Sequence, residues 1–247
     1  MQRIDLNSDL GEGCDSDEAM LSIVTSANVA CGGHAGDRET MRRTIALAME
    51  KHVVVGAHPS YPDREGFGRR RIGSGPADIR RFVREQIEAL MEVAAALGTS
   101  VRYVKPHGAL GNDGAADRGI ANAVLDAVAD VDAGLAVLAI SGTQLERAAR
   151  ERQVAAYPEV YADRAYTDAG LLVPRSEPGA VIEDSQAAVA RLRDYVRSGQ
   201  MLTHKGARIA LAGVSVCVHG DNPHAVEMAL QVKDMLRSQG VAIRSFL

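Results

Sequence analysis

Val53-Val54-Val55-Gly56-Ala57-His58-Pro59 is the stretch that decides the fold. A short apolar run of strand length, without polar alternation, is what a parallel strand covered on both faces requires. This run stops abruptly on a histidine beside a proline, and the same ending recurs. Ile4 to Asp9, Val29 to His34, Val101 to His107 and Val216 to His219 each carry apolar residues into a His or Asp beside Gly or Pro.

Working outward, strands are expected at residues 3–6, 53–57, 101–104, 135–140 and 214–218, with weaker ones at 28–30, 155–160 and 241–245. Apolar residues three or four apart predict amphipathic helices between them, at 38–51, 76–97, 117–131, 144–153, 182–198 and 223–239. Pro76 opens one helix in its first turn, Gly98 follows one closely, and Gly240 closes another. The alternation predicts an α/β fold, a single parallel (β/α) barrel of seven or eight strands. No Pro-, Ser- or charge-rich linker and no repeat divides the chain, so residues 1–247 are expected to form one domain. The long connections 58–75 and 161–181 are expected to act as lids.

The 247 residues are 46% hydrophobic and 24% charged, which suits a globular chain with a sizeable core. With no Trp and three Phe, that core must be aliphatic. A net charge of −4 gives no reason to bind nucleic acid or anionic membrane. Cys14, Cys31 and Cys217 are odd in number and form no CxxC pair, the pattern of reduced structural thiols. The first residues hold no apolar signal segment, and no membrane-spanning run follows, so a cytoplasmic location is expected.

In a parallel barrel the strand ends that feed helices share one face, and that face hosts the active site. One histidine there needs no more than a buried hydrogen bond to explain it. His34, His58, His107 and His219 in one position type point to joint use, whereas His52 and His204 read as surface residues and His224 stays ambiguous. Asp9, Glu12 and Asp37 add carboxylates suited to proton transfer or metal ligation. Asp9, His58 and His107 are the candidate ligands for a divalent metal, though hydrogen-bonded pairs would give the same pattern. Lys105 could stabilise an oxyanion or a phosphate, with a plain ion pair as the alternative. Arg64 and Arg175 sit in the long connections, where a guanidinium can clamp a carboxylate. Arg69-Arg70-Arg71 reads as a solvated or partner-facing patch. Gly11, Gly13, Gly32, Gly33 and Gly36 fit tight turns. GxxxxGK[ST] does not occur, and Gly11-Glu12-Gly13-Cys14 lacks the third glycine of a dinucleotide fingerprint, so no self-sufficient ATP site is expected.

Longer motifs identify a relationship. Asp5-Leu6-Asn7-Ser8-Asp9-Leu10-Gly11-Glu12-Gly13, Asn28-Val29-Ala30-Cys31-Gly32-Gly33-His34-Ala35-Gly36-Asp37 and Gly56-Ala57-His58-Pro59-Ser60 resemble those of the LamB/YcsF family. The resemblance continues through Pro62-Asp63-Arg64-Glu65-Gly66-Phe67-Gly68-Arg69, Val104-Lys105-Pro106-His107-Gly108, Glu159-Val160-Tyr161-Ala162-Asp163-Arg164, Leu172-Val173-Pro174-Arg175 and Cys217-Val218-His219-Gly220-Asp221. It covers almost the whole chain. Gly33 departs from it where an aromatic residue is common, and Gly111-Asn112 stands where a Tyr-Asn pair is expected.

The resemblance implies a barrel related to polysaccharide and sugar deacetylases. It also implies component A of an ATP-dependent 5-oxoprolinase, which opens 5-oxo-L-proline to L-glutamate with ATP as co-substrate and two further subunits, B and C, as partners. The expected catalytic residues are Asp9, Glu12, His58, Lys105 and His107. The expected substrate-binding residues are Asn7, Asn28, His34, Asp37, Arg64, Arg175 and His219. A metal-dependent amidase or sugar deacetylase of the same fold, and a non-catalytic scaffold, are the competing readings.

Overall fold

In a computed structural model of the chain, residues 3–219 and 224–247 are described. The elements run β1 (Arg3–Leu10), α1 (Asp17–Leu21), β2 (Ser26–Ala30), α2 (Arg38–Glu50), β3 (Val54–His58), α3 (Pro76–Ala96), β4 (Tyr103–Val104), α4 (Gly108–Ala116) and α5 (Arg118–Val131). They continue with β5 (Ala136–Ile140), α6 (Gln144–Glu151), β6 (Ala156–Tyr161), α7 (Ser185–Ser198), β7 (Gln200–Leu202), β8 (Arg208–Ala210), β9 (Ser215–Cys217), α8 (Ala225–Ser238) and β10 (Ala242–Ile243). Among the described residues, β1-β2-β3-β4-β5-β6-β9 pair in parallel in that order, and β9 returns to β1 to close a seven-stranded barrel. The expected parallel (β/α) barrel is the observed fold. An eighth parallel strand, β10, lies outside the ring against the start of β1 at Arg3 and Ile4.

The period-2 alternation of each strand sorts side chains between two environments. On β1, Ile4, Leu6 and Leu10 join the large apolar cluster shared with the surrounding helices, while Asp5, Asn7 and Asp9 take part in a buried polar network. A second apolar cluster of Tyr103, Ala136, Leu138 and Phe246 plugs the barrel below that network, with Val54 and Tyr157 packed against it. Gly56 on β3 leaves the room for this plug, because a Cβ there would lie 2.3 Å from the Tyr103 ring.

Capping sets the helix boundaries. Asp37, Asp117 and Asp184 accept backbone N–H bonds in the first turns of α2, α5 and α7, and left-handed Gly199 ends α7. Asp184 explains why α7 begins after the expected residue 182. Helix α1 and the antiparallel β7–β8 hairpin were not expected from periodicity, each being too short for a pattern to repeat, and α4 was not expected because its sequence, with Gly108, Gly111 and Gly114, carries no apolar stripe. The strand expected at 241–245 contributes only Ala242–Ile243. The helix start expected at Pro223, and Gly220-Asp221 of the last motif, lie outside the described residues. No described helix is long and apolar enough to cross a membrane.

Candidate active site

The C-terminal ends of the strands converge as the chain order requires. Asp9 sits near the end of β1 and His58 ends β3. Lys105 and His107 follow β4, Glu159 and Tyr161 lie on β6, and His219 follows β9. Asp9, His58, Lys105, His107, Glu159, Tyr161 and His219 line one cleft with Arg69, Arg164, Leu172 and Arg175 from the two long connections.

At its floor the Lys105 ammonium meets Asp9 Oδ1 at 3.0 Å, Glu159 Oε2 at 3.1 Å, Asn7 Oδ1 at 3.1 Å and Cys217 Sγ at 3.2 Å. Three N–H donors thus face four acceptors, and the side chain is buried. Burial works against the ammonium, but Asp9 and Glu159 outweigh it and hold Lys105 well above the ordinary lysine value. Burial likewise opposes the Asp9 carboxylate, and His58, Lys105 and His219 hold it well below the usual range. The Cys217 thiol is pushed well up by burial. The ion-pair alternative for Lys105 is therefore the arrangement observed, and an oxyanion would have to compete with these partners.

Above the floor is an imidazole cluster. The rings of His34 and His107 stack with centroids 3.6 Å apart and planes 1° apart. His34 Nε2 lies 2.9 Å from Glu12 Oε1, and His107 Nδ1 lies 3.5 Å from the same oxygen. His58 Nε2 is 3.0 Å from His107 Nδ1 and 3.2 Å from Asp9 Oδ2. Burial pushes His34 down to about 4 and His107 well below the ordinary imidazole value, so both rings are neutral at pH 7.

The opposite wall holds a histidine–carboxylate pair. His219 Nδ1 lies 2.8 Å from Asp163 Oδ2, its Nε2 lies 3.7 Å from Asp9 Oδ2, and Tyr161 stacks beside the ring. Burial opposes the charged imidazole, but the Asp163 carboxylate raises His219 above its ordinary value. Arg164 donates to the Val173 and Ala180 carbonyls and so ties the second long connection to the cleft wall.

Several expected site residues have other placements. Asn7 and Asn28 are fully buried beneath the cleft, bonded to each other, to Asp9, Glu159 and Ser215, and to the Tyr103 hydroxyl. Their side chains form part of the floor. Asp37 is exposed and caps α2, and exposed Arg64 donates to the Gly32 and Gly36 carbonyls, bracing the loop after β2. Both border a separate outer cleft with Glu12 and His34. The trio Asp9, His58 and His107 does not form one metal-donor set. Its imidazoles group with Glu12 and His34, while Asp9 groups with Cys217 and His219. Exposed His52, His204 and His224 lie away from the cleft.

Sequence reasoning assigned no role to Glu159, Tyr161, Asp163 or Arg164, and it placed Arg69 in a solvated patch although this residue lines the cleft. The signal for the first four was their place at the end of the 155–160 strand, the position type that singled out the histidines.

The sequence matches the LamB/YcsF family over residues 4–247. The chain belongs to that family. It is 50% identical to a Nocardia farcinica protein named as the A subunit of 5-oxoprolinase, covering 99% of each chain. It is 49% identical to a Streptomyces avermitilis protein of the same name, covering 98% of this chain and 99% of that one. The crystal structure of the lactam utilization protein from Thermus thermophilus superposes with a TM-score of 0.90 at 36% identity, covering 99% of this chain and all of that one. A family 4 carbohydrate esterase from Streptomyces lividans shares the fold alone, with a TM-score of 0.52 at 11% identity, covering 100% of this chain and 93% of that one.

Both departures from the LamB/YcsF motifs have a local cause in this chain. A Cβ on Gly33 would sit 2.3 Å from Gln86 Oε1, because Gln86 fills that space while bonding the Ser60 backbone at both N–H and carbonyl. A Cβ on Gly111 would lie 2.6 Å from the Pro106 carbonyl oxygen, where α4 begins beside the cleft.

Proposed function

We propose that this chain opens the lactam ring of 5-oxo-L-proline to L-glutamate, as the A subunit of an ATP-dependent 5-oxoprolinase with two further subunits. The observation that carries this reading is identity of about half, over nearly the full length, to proteins named as the A subunit of 5-oxoprolinase. The buried acid, base and cation cluster at the barrel mouth supports it.

Ring opening adds one water across the amide bond, hydroxyl to the carbonyl carbon and proton to the nitrogen. Because an amide is a poor electrophile, the coupled ATP transfers its terminal phosphoryl group to the lactam oxygen; water adds to the activated carbon, the C–N bond breaks as the nitrogen takes a proton, and a second water hydrolyses the resulting acyl phosphate to glutamate and phosphate. Among the imidazoles, His219 has the arrangement of a proton acceptor. Its Nδ1 is anchored to Asp163 and its Nε2 faces the cleft beside Asp9. Lys105 fixes the Asp9 carboxylate, and Arg69 and Arg175, which line the cleft, would meet the substrate carboxylate.

ATP binding depends on the partner subunits, since no nucleotide loop of a known type occurs in the sequence. The test is phosphate and glutamate release for the chain alone and then with both partners. The expected result is coupled release of both products only in the full mixture. Substrate-dependent release of both by the chain alone would overturn the dependence on partners, and no glutamate from the full mixture would overturn the lactam assignment.

A further inference from the structure

Tyr161 ends β6, and Asp163 stands two residues further on, so one strand end presents both a ring and a carboxylate to the neighbouring strand end. That neighbour is β9, whose Cys217 pairs with Tyr161 two residues before His219. The Tyr161 side chain is buried and fastened on several sides. Its O–H donates to Glu159 Oε1 at 2.8 Å, while the other oxygen of Glu159 is held by Lys105 and Asn7. Its backbone N–H donates to the Tyr166 hydroxyl at 2.9 Å, and its carbonyl accepts from Arg191 at 3.3 Å. Held at hydroxyl, amide and carbonyl, the ring is a fixed surface in the cleft wall.

The His219 ring lies against this surface, with centroids 5.5 Å apart and planes 27° apart. The Asp163 carboxylate only accepts, so the His219 Nδ1 at 2.8 Å from it carries its proton. A bond at one corner does not set the plane of the ring, because the torsion about the Cβ–Cγ bond of histidine is broad. Nε2 lies 3.7 Å from Asp9 Oδ2, beyond hydrogen-bond reach, so that contact does not set the plane either. The Tyr161 face supplies the missing constraint. It also suits the charge that a proton acceptor gains, since the face of a phenol ring attracts cations. The Lys105 ammonium, 5.0 Å from the Tyr161 centroid, already makes such a contact.

We infer that Tyr161 is a positioning residue for His219, its ring face setting the imidazole plane so that Nε2 points into the cleft. The catalytic consequence rests on the reading of His219 as proton acceptor in lactam opening, whereas the ring packing does not. The aromatic face carries the role and the hydroxyl only secures it. Tyr161→Phe therefore keeps the face and loses the donor to Glu159, and Tyr161→Leu loses both. Tyr161→Met is a second non-aromatic variant, whose unbranched side chain adapts to irregular space.

The test has two arms. In the first, proton NMR of the chain alone follows the His219 Nδ1–H, a low-field resonance assigned by its loss in His219→Gln. It should stay sharp in Tyr161→Phe and broaden by solvent exchange in Tyr161→Leu and Tyr161→Met. In the second, turnover is measured with both partner subunits. A displacement of about 1 Å commonly costs about a hundredfold, so both non-aromatic variants should lose roughly tenfold to a hundredfold in kcat with KM within about twofold, and Tyr161→Phe should keep kcat within about threefold. A resonance equally sharp in all variants would overturn the positioning role. Equal kcat losses in Tyr161→Phe and Tyr161→Leu, or a rise confined to KM, would overturn it in favour of a hydroxyl that touches substrate. Broadening in the non-aromatic variants with kcat unchanged would overturn the catalytic consequence and keep the packing. No glutamate from the unaltered mixture would overturn the lactam reading, and the NMR arm would still decide the positioning role.

Discussion

Replacing Lys105 by Met tests the charge arrangement beneath the cleft. At an effective dielectric of about 20, opposite charges about 4 Å apart attract by roughly 4 kcal/mol, so Asp9 and Glu159 together give a gross attraction of about 8 kcal/mol. Desolvating the ammonium offsets several kcal/mol of this, and removing one partner of such a buried pair commonly costs about 3–5 kcal/mol, because the remaining charge is left unpaired. Lys105→Met should therefore lower unfolding free energy by ~3–5 kcal/mol, a fall of roughly 6–20 °C in melting temperature for a chain of this size. The assay is urea denaturation followed by circular dichroism at pH 7. Adding Glu159→Gln removes one orphaned carboxylate, so the double variant should recover more than about 1 kcal/mol relative to additivity. A loss below about 1 kcal/mol for Lys105→Met, with an unchanged denaturant slope, would show that the ammonium is not clamped as described.

The Asp163–His219 pair predicts a pH dependence. His219 is raised above its ordinary value, so its contribution to stability is complete below about pH 6.5 and is lost as pH rises through the raised value. Asp163 is lowered, burial being outweighed by His219, so its contribution is lost as pH falls through the lowered value. Asp163→Asn should lower the His219 titration midpoint followed by imidazole NMR. Its stability deficit against the unaltered chain should be largest between about pH 4 and 6.5, and an unmoved midpoint would contradict the pairing. Gly68→Ala combines a left-handed φ with close contacts, whereas Gly98→Ala has a φ of 76° and nothing within 4 Å. Backbone strain alone costs about 1–3 kcal/mol, so Gly68→Ala should lose measurably more stability than Gly98→Ala in urea denaturation. Equal losses would mean that the His34–His107 stack does not depend on Gly68.

The sequence by itself determined the barrel and the face on which the site lies. Buried parallel strands are locally legible as apolar runs, and a strand that feeds a helix must end on the common face whatever its place in the ring. His58, His107 and His219 are therefore brought together by strand endings alone. Tertiary structure decided what each group does there. Lys105 and Cys217 are 112 residues apart and meet at 3.2 Å, and no local pattern marks a pair across that separation. Asn7 and Asn28 lie on strands that lead into the site, yet their side chains are taken up by one another and by Ser215 and Tyr103 from other strands. Glu159 lies on an ordinary-looking strand and Asp163 just after it, and they gain their roles from Lys105 and His219, which come from other strand ends. Periodicity fixes which way a side chain points, whereas hydrogen-bond partners depend on distances across the closed ring, which one strand alone does not encode.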